Sequence, residues 1–407
     1  MEKGSSHADV AVVGGGPSGL TVALALASAG LDTVVVAPPA PSDNRTTALL
    51  ASSIAALETL GVWDTCRDAA APLRILRIVD DTGRLWRAPE ARFEADEIGL
   101  DAFAYNIQNR HLIAALEAAA AHRLNLHAIE DEAAVVSVDE DHAHIRTSRG
   151  IEIHAKLIVG ADGRHSICRA AAGIEMHVHR YPQVALTFNV AHSRPHHDIS
   201  TEFHTEAGPF TTVPLPGNRS SIVCVVTEKD ARHLQTLSGE TLDRELERRS
   251  HSILGKVKAE PGYGIFPLAI ESANHAAAHR IALIGEAAHR IPPIGAQGLN
   301  LGLRDAAAIA EVAADHRHDP GAPDALDRYE SMRRADVMSR TLAVDLLNRS
   351  LLSGFLPIQG LRGLGMHVLN TVGPLRRAIM REGVMPRGNQ PRLMRGEALR
   401  CADPSTT

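Results

Sequence analysis

The residues with the clearest chemical potential lie in a segment rich in glycine and proline, GEAAHRIPPIGAQGLNLGLRDA, which begins at Gly285. Glu286 supplies a carboxylate, the later glycines leave backbone amides uncovered, and Pro292 and Pro293 stiffen the chain between them. Such clusters are most often surface turns. Here, however, the apolar run RIALIG precedes the segment and a helical pattern follows it. Open α/β sheets bind ligands between a strand end and a helix start, which favours a ligand site.

A second glycine motif lies near the N-terminus, where Gly14, Gly16 and Gly19 form G-x-G-x-x-G around Pro17 and Ser18. It follows the strand-like run ADVAVV and precedes the helix-like run LTVALALA. In that context, glycines let backbone N–H groups approach a pyrophosphate at the start of the helix. The motif alone would be weak, because it also occurs in plain turns, but its placement predicts a dinucleotide site.

The surrounding pattern predicts two kinds of sheet. The N-terminal stretch reads as strand, glycine loop, helix and strand over about 30 residues, which is the size of a βαβ unit. A helix is predicted from Asn109 to His122, and AKLIVGADGRHSICRAAAG predicts another strand, turn and helix. Between about Tyr181 and Pro267, alternating β-branched runs predict an inserted antiparallel sheet, which the run LRILRIVDDTGRLWRAP is expected to join.

One position departs from the dinucleotide pattern. An acid is expected at the end of the second strand to hold the adenosine ribose, but TVVVAPPAP has Ala37 there. Either Arg45 or a backbone group of the loop from Pro38 to Asp43 binds the ribose, or adenosine is held loosely. The second alternative predicts a cofactor that dissociates readily.

Five segments, VVGGGPSGL, DNRTTAL, NRHLIAAL, GADGRHSICR and the segment from Gly285, together resemble the single-component FAD-dependent aromatic hydroxylases related to para-hydroxybenzoate hydroxylase. Among these, the closest likeness is to the ubiquinone-biosynthesis hydroxylases. The resemblance implies an α/β fold: an FAD-binding Rossmann-like (GR2-type) domain, an inserted antiparallel-sheet substrate domain and a helical C-terminal region. The expected divisions are residues 1–74, 100–178 and 274–345 for the first, 75–99 and 179–273 for the second, and 346–407 for the third.

The resemblance also implies the cofactor-binding residues. They are Gly14, Gly16, Pro17, Ser18 and Gly19 at the FAD pyrophosphate, Arg45 and Arg110 at the phosphate or flavin chain, Asp162 and Gly163 at FAD and the nicotinamide, Gly285 and Glu286 at the ribityl chain, and Gly298, Leu299 and Asn300 at the flavin ring. The last two residues are expected to act through backbone N–H groups at a helix start, where the helix dipole stabilises negative charge.

Two of these positions carry a qualification, and two neighbouring residues have separate assignments. Asp162 could simply cap the helix that follows it. Glu286 stands where the family usually has Asp, so it keeps the acceptor on a longer side chain. Pro293 is assigned to the substrate side of the flavin, and His289 is expected to be a structural hydrogen-bonding residue rather than a base.

The activity that the resemblance implies is hydroxylation of a phenolic ring, expected to be a ubiquinone-type precursor with or without a prenyl chain. FAD would act through a C4a-hydroperoxyflavin, with O₂ and with NAD(P)H as a transient co-substrate. The single G-x-G-x-x-G motif argues against a reductase with separate FAD and NAD domains. Tyr181 and Gln183 match the family pattern at the entry to the substrate domain, but the residue that activates the phenol is not assigned.

Other functions stay open from the sequence. The chain could be another flavin oxidoreductase of this fold that acts on a soluble aromatic compound, although it lacks the Trp-rich motif of flavin halogenases. It could also be a non-catalytic flavin-fold scaffold of a biosynthetic complex, an alternative that the absent ribose acid and the basic C-terminal region keep open.

Charge and cysteine content limit the partners. The net charge of −6 argues against a general nucleic-acid binder. Four scattered cysteines suit the reducing cytoplasm and predict neither a zinc site nor a redox pair. The cluster HSRPHHD, which contains His192, His196, His197 and Asp198, is interpreted as a plain loop, and no metal is predicted.

The C-terminal region has a different charge from the rest of the chain. Positions 360–400 hold eight arginines and two glutamates. Apolar residues and arginines alternate there at roughly helical spacing, which suits either an interfacial helix or an ordinary packing helix. This region is therefore expected to make a peripheral membrane contact or a contact with a biosynthetic complex. The protein itself is expected to be cytoplasmic, as its cysteine content suggests.

Overall fold

The computed structural model describes residues 5–39, 43–83, 87–293, 295–352, 371–385 and 390–399. The strands, in chain order, are β1 (Ser5–Val13), β2 (Thr33–Ala37), β3 (Thr46–Leu50), β4 (Ala70–Leu73), β5 (Ile75–Asp80), β6 (Ala91–Glu94), β7 (Ala104–Gln108), β8 (Leu126–Glu130), β9 (Ala133–Val138), β10 (Ala143–Thr147), β11 (Glu152–Gly160), β12 (Met176–His192), β13 (Ile199–His204), β14 (Pro209–Leu215), β15 (Arg219–Thr227), β16 (Val257–Ala273), β17 (Ala277–Ala278), β18 (Ile281–Leu283) and β19 (His289–Arg290).

The α-helices are α1 (Pro17–Ser28), α2 (Ala51–Thr59), α3 (Trp63–Cys66), α4 (Asn109–Ala121), α5 (Ile167–Ala171), α6 (Glu228–Thr236), α7 (Glu240–Arg249), α8 (Gln297–Asp315), α9 (Pro323–Leu352) and α10 (Gly373–Val384). Short 3-10 turns lie at Arg67–Ala69, Ala95–Ile98, Gly285–Ala287 and Arg392–Arg395. Within the described ranges, no helix combines the length and apolarity needed to cross a membrane.

The first sheet has the order β17-β18-β11-β1-β2-β8, in which β18, β11, β1, β2 and β8 are parallel. Its central strands are apolar on both faces, as parallel strands covered by helices must be. Helices α1, α4 and α8 cover one face. The antiparallel pair β9–β10 extends the sheet from β11, and α5 packs on the other face. This is the predicted dinucleotide-binding fold.

The second sheet has the order β19-β16-β12-β15-β14-β13-β5-β6 and is antiparallel except for the pair β13–β5. Its long strands β12 and β16 each contain 17 residues. Helices α6 and α7 pack on one face around Phe188, Phe210 and Leu246. The inserted sheet is therefore confirmed, and β5, from the run LRILRIV, joins it as predicted.

A small antiparallel sheet, β3-β7-β4, lies next to α2 and the start of α8. Helix α9 runs through position 345, where the FAD-binding domain was predicted to end. The division of the chain into domains otherwise stays a prediction. Much of the predicted C-terminal region, including 353–370 and 386–389, lies outside the described residues.

Candidate functional site

Three parallel strands end side by side and bring the sequence motifs together. Val13 of β1 pairs with Gly160 of β11, which pairs in turn with Leu283 of β18. The glycine loop follows the first strand, Asp162 follows the second, and Gly285 follows the third. Because these strands are parallel and adjacent, the three turns lie at one sheet edge, here called the cofactor edge.

The glycines of the first loop are present for different structural reasons. Gly14 has φ +117°, and a Cβ there would lie 2.3 Å from the carbonyl oxygen of Ala161. A Cβ on Gly19 would lie 2.0 Å from the Gly14 oxygen, so both positions are fixed by packing between α1 and the sheet. By contrast, a Cβ on Gly16 would meet no atom within 4 Å. Gly16 therefore borders open space at the cofactor edge.

Helix α1 begins in this open space, and no side chain accepts a hydrogen bond from its first backbone amides. Gly16 is its N-cap, Pro17 occupies the first turn, and no side chain caps the helix. The first turn also contains no acidic residue. The uncovered amides and the positive end of the helix dipole can therefore bind a phosphate group.

Asp162 fits both roles that the sequence suggested, helix capping and cofactor binding. Its Oδ2 accepts a hydrogen bond from the Cys168 amide at 3.1 Å, near the start of α5. Its Oδ1 is buried without a hydrogen-bond partner among the described residues. Since buried acceptors are normally paired, Oδ1 is available to a bound hydroxyl or amide. Gly163, with φ +75°, has open space where a Cβ would be.

The third turn contains a buried, hydrogen-bonded residue, Gly285, followed by an exposed one, Glu286. Gly285 is buried with φ +58°, and its amide donates to Asp305 Oδ2 at 3.0 Å. Glu286 is exposed and makes no hydrogen bond or ion pair with another described residue. Ser18 has a packing role here: a Cβ on Gly302 would lie 2.5 Å from its Oγ. The side chain of Ser18 therefore fits between Gly302 and Gly285.

The start of α8 lies one to two positions earlier than predicted. Its N-cap is Ala296, with φ +55°, so the unpaired amides of the first turn include those of Gln297, Gly298 and Leu299. Asn300 is the fourth helical residue, and its amide lies beyond this set. A Cβ on Gly298 would meet no atom within 4 Å, so this helix start is open.

The side chain of Asn300 is buried and fully used by the protein. Its Oδ1 accepts from the Leu50 amide at 2.9 Å and from Ser53 Oγ at 2.7 Å. Its Nδ2 donates to the Ala48 carbonyl oxygen at 2.8 Å. Asn300 thus ties α8 to β3 and α2, which explains its presence without a direct cofactor contact.

Two prolines precede this helix. Pro292 is buried and Pro293 is exposed, whereas Ile294 lies outside the described residues. The exposure of Pro293 is compatible with its predicted contact with a ligand, which stays a prediction.

Arg45 and Arg110 are held by polar partners near the same edge. Arg45 donates to both carboxylate oxygens of Asp43, and its guanidinium lies 5.6 Å from the Phe266 ring centroid. The Asp43 hydrogen bond raises the pKa of Arg45, and the charge of Glu286 adds to that shift. Arg110 is exposed and donates to Asn44 Oδ1 at 3.1 Å.

A buried ion network lies directly behind the Gly285 turn. Asp305 on α8 accepts from His289 Nε2 at 2.6 Å and from Arg333 Nε at 2.6 Å, in addition to the Gly285 amide. Arg333 and Arg304 both bind Asp336 on α9. We call these residues the Asp305 network. It confirms the structural hydrogen-bonding role predicted for His289.

The charge state of Asp305 follows from these contacts. Burial would raise the pKa of Asp305, but its interactions with His289 and Arg333 lower the pKa to about 2. The sequence reasoning did not identify Asp305 or Arg333. An available signal was the pair Arg304-Asp305 inside an otherwise apolar helical pattern, since charged residues are seldom fully buried unless paired.

A second buried carboxylate joins the two sheets. Glu271 of β16 is 4% exposed and receives Arg164 Nη2 at 2.8 Å and Arg290 Nη1 at 3.1 Å. Arg164 follows the Asp162 turn, and Arg290 precedes the two prolines. Glu271 therefore fixes the inserted sheet against two segments of the cofactor edge.

The histidine cluster of the inserted sheet has local partners. His192 Nε2 lies 3.0 Å from Ser220 Oγ, and His196 Nε2 lies 3.0 Å from the Leu215 carbonyl oxygen. Across the part of the chain that the structure describes, no group of three or more His, Cys, Asp or Glu residues is arranged to hold a metal ion.

Comparison with known proteins agrees with this arrangement. The FAD binding domain family matches residues 7–343. The chain is 36% identical to the ubiquinone hydroxylase UbiL of Rhodospirillum rubrum, over 96% of this chain and 94% of that protein. It is also 31% identical to the 3-demethoxyubiquinol 3-hydroxylase of Escherichia coli, over 92% of this chain and 97% of that protein.

Two solved structures support the fold. The p-nitrophenol 4-monooxygenase PnpA of Pseudomonas putida has a TM-score of 0.78 at 20% identity, covering 96% of this chain and 100% of that one. PqsL of Pseudomonas aeruginosa, in complex with 2-aminobenzoylacetate, has a TM-score of 0.74 at 23% identity, covering 86% and 97%. The predicted fold class is confirmed.

Proposed function

Because the chain belongs to the FAD-dependent aromatic monooxygenase family, as its similarity to the FAD binding domain and to ubiquinone hydroxylases shows, we propose that it hydroxylates the phenolic ring of a quinone precursor. Family membership confirms the predicted FAD cofactor, with NAD(P)H as the family's typical reductant. Similarity to two quinone hydroxylases over nearly the whole chain supports the substrate class.

The single structural observation that supports this proposal is the convergence of unpaired polar groups at the cofactor edge. The open loop at Gly16, the buried Oδ1 of Asp162 and the exposed carboxylate of Glu286 all fit FAD. Glu271 holds the inserted sheet against the same edge, where a ring could be placed beside the cofactor.

Each group then has a distinct task. The first amides of α1 bind the pyrophosphate, Asp162 Oδ1 and Glu286 accept hydrogen bonds from the flavin chain, and the open amides at Gln297–Leu299 stabilise negative charge near the flavin. FAD supplies the redox and oxygen chemistry when it is bound. The protein orients the ring and excludes water.

Anaerobic reduction tests this function. FAD-reconstituted protein is mixed with NADH or NADPH, with and without simple and prenylated phenols, and flavin absorbance is followed in a stopped-flow instrument. We expect a phenol to accelerate reduction and, after oxygen is admitted, to yield a hydroxylated product. Failure of both nucleotides to reduce the flavin under every condition would instead support a non-catalytic scaffold.

Within the same proposal, Tyr181 binds the phenol. Its hydroxyl donates to the carboxylate of Asp345 on α9, and its ring packs beside Ala185 and Leu268. The pairing of β12 with β16 shifts register between Arg180 and Val184, so Tyr181 lies in an irregular part of the strand. The side chain of Gln183, three residues after Arg180, is buried and donates to the Ala207 carbonyl oxygen.

We expect Tyr181→Phe to lower the yield of hydroxylated product per NAD(P)H consumed by about tenfold, because the variant loses one hydrogen bond to the phenol. Flavin reduction should continue, with peroxide released instead. Product yield and peroxide are measured together in the same reaction. Unchanged coupling in Tyr181→Phe would remove this residue from the mechanism.

We further propose that the protein is cytoplasmic and that α10 makes the peripheral membrane contact predicted for the C-terminal region. Its inner face, Met380 and Val384, packs into an apolar cluster that also includes Ala296 at the start of α8. Its outer face exposes Val372, Leu375 and Ile379, which are 43%, 43% and 49% exposed. An apolar face beside a basic one suits an interfacial helix, and a lipophilic substrate could leave the membrane there.

Liposome flotation tests this contact. We expect the protein to float with anionic vesicles and Leu375→Asp/Ile379→Asp to remain at the bottom. Leu124→Asp is the control, because Leu124 is 96% exposed on the loop between α4 and β8. Wild-type protein that stays at the bottom with vesicles, as it does without them, would overturn the membrane proposal.

A further inference from the structure

The strand end that usually holds the adenosine ribose carries no carboxylate at Ala37. Ala37 ends β2, and a Cβ on Gly15 would lie 2.9 Å from its methyl group, so Ala37 faces the glycine loop. Of the substitutes that the sequence suggested, Arg45 is bonded to Asp43, and residues 40–42 of the loop from Pro38 to Asp43 lie outside the described residues. The carboxylate that usually binds the ribose hydroxyl must therefore come from elsewhere, or be absent.

A carboxylate lies on the next strand at the same level. Glu130 ends β8 and pairs in register with Ala37. Neighbouring strands are ~4.8 Å apart, and paired residues project from the same face. Ala37 packs against the core under α1, to which Leu126 of β8 also belongs. Since Glu130 follows Leu126 by four positions, its side chain projects to that same face.

Of the three described acids Glu130, Asp131 and Asp43, Glu130 is the one whose carboxylate is available to a ligand. It is exposed, and its carboxylate makes no hydrogen bond or ion pair with another described residue, although its backbone oxygen accepts from Arg149. The neighbouring acid Asp131 accepts from the amides of Glu132 and Arg149. Asp43 is occupied by Arg45 and Asn109.

We propose that Glu130 binds the adenosine ribose hydroxyls of FAD, so that β8 supplies the carboxylate that β2 lacks. A Glu side chain is long enough to cover the spacing of one strand. The adenosine is then held by a residue one strand further from the flavin than usual. This inference concerns cofactor binding alone and does not depend on which compound is hydroxylated.

The test measures binding of FAD and of its analogue with 2′-deoxyadenosine to apo-protein by flavin fluorescence. A hydrogen bond to a charged group predicts that wild-type protein binds the deoxy analogue about tenfold more weakly than FAD. Glu130→Ala should bind both flavins equally, at the weaker level, while FMN, which has no adenosine, should bind both proteins alike.

Glu132→Gln is the matched control, because it removes the same charge from an exposed side chain two residues away. It should keep the wild-type ratio between FAD and the deoxy analogue. Thermal unfolding of the apo-proteins separates binding from folding. The proposal is overturned if Glu130→Ala still discriminates between the two flavins, or if Glu132→Gln weakens FAD binding as much as Glu130→Ala does.

Discussion

Two polar regions meet at Gly285 and differ in how their carboxylates are used. At the cofactor edge, Glu286 is exposed and makes no hydrogen bond or ion pair with another described residue, and Asp162 Oδ1 is buried without a hydrogen-bond partner among the described residues. In the Asp305 network, both oxygens of Asp305 are bonded, to His289, Arg333 and the Gly285 amide. The difference separates groups that await a ligand from groups that hold the turn in place.

The comparison predicts opposite consequences for the same kind of mutation. In the network, a deletion leaves a buried charge without its partner, and therefore affects folding. At the cofactor edge, a deletion removes a group that the protein does not use for itself. Binding of FAD should then change while the apo-protein stays equally stable.

The largest expected effect is that of Arg333→Ala, which leaves the buried Asp305 partly uncompensated. We expect the free energy of unfolding to fall by about 3–5 kcal/mol, measured by urea denaturation. Arg395→Ala is the control, because Arg395 forms an exposed ion pair with Glu397, and such pairs contribute little to stability. Equal losses in the two variants would show that the network does not stabilise the fold.

The next effect separates two glycines of one loop. Gly16→Ala should leave apo-protein stability unchanged, because Gly16 has φ −73° and open space for a methyl group. That methyl would occupy the place of the pyrophosphate, so FAD affinity should fall on the order of a hundredfold, or ~2.7 kcal/mol.

Gly19→Ala should lower the stability of the apo-protein and leave FAD affinity unchanged, since its methyl would meet the Gly14 carbonyl oxygen. Overpacking of this kind costs about 1–3 kcal/mol of stability. Calorimetry on apo-protein and fluorescence titration with FAD distinguish the two variants. If Gly16→Ala unfolded the protein while binding FAD normally, the division between packing and cofactor glycines would be wrong.

Much of this arrangement could be predicted from sequence because it is local. The glycine loop follows its strand directly, and in the same way Gly285 ends the run RIALIG and Glu286 follows it. The inserted sheet was visible as alternating apolar residues. Even β5, far from the rest of that sheet in sequence, was recognised by the same alternation.

The remainder depends on residues that only the fold brings together. Asp305 and Arg333 are 28 positions apart, and Asn300 and Leu50 are 250 apart, so no motif contains either pair. The start of α8 was misplaced because Ala296 adopts a left-handed conformation that its residue type does not favour. Glu130 was not identified because its importance depends on strand pairing with Ala37.

A third prediction concerns the stability of the protein at acid pH. The interactions of Asp305 with His289 and Arg333 outweigh the effect of burial and lower the pKa of Asp305 from 3.8 to about 2. Because the folded-state pKa is the lower one, this carboxylate contributes its stability fully above about pH 4. The contribution, about 2 kcal/mol, is lost as pH falls towards 2.

Urea denaturation of wild-type protein and Asp305→Asn between pH 5 and pH 2 measures this contribution. The difference between the two proteins should shrink with falling pH. A difference that stays constant would mean that Asp305 titrates alike in the folded and unfolded states.

A smaller effect is expected at Glu286. Glu286→Gln should weaken FAD binding by about tenfold, because a charged acceptor to the flavin chain is replaced by a neutral one. Apo-protein stability should change by less than about 0.5 kcal/mol. Glu286→Asp should retain binding, and Glu117→Gln, on the exposed side of α4, is the charge control. Loss of stability without loss of affinity would place Glu286 among the structural carboxylates.

The smallest effect tests the point where the two regions join, at the start of α8. Ala296 has φ +55°, a conformation that costs an L-residue about 1–2 kcal/mol. Ala296→Gly removes this strain but adds unfolded-state entropy and loses a methyl packed on the apolar cluster to which Met380 belongs. We therefore expect a gain in unfolding free energy of no more than about 1 kcal/mol.

The neighbouring Gly295→Ala is the matched opposite, since Gly295 has φ +67° and would acquire the same strain. We expect it to lose about 1 kcal/mol in the same urea denaturation. If both variants were destabilised, the packing of the Ala296 methyl would contribute more than its backbone strain costs. The left-handed turn would then serve folding, as the Asp305 network does. If Ala296→Gly gains stability but loses FAD affinity, the strain instead serves to aim the first amides of α8 at the cofactor.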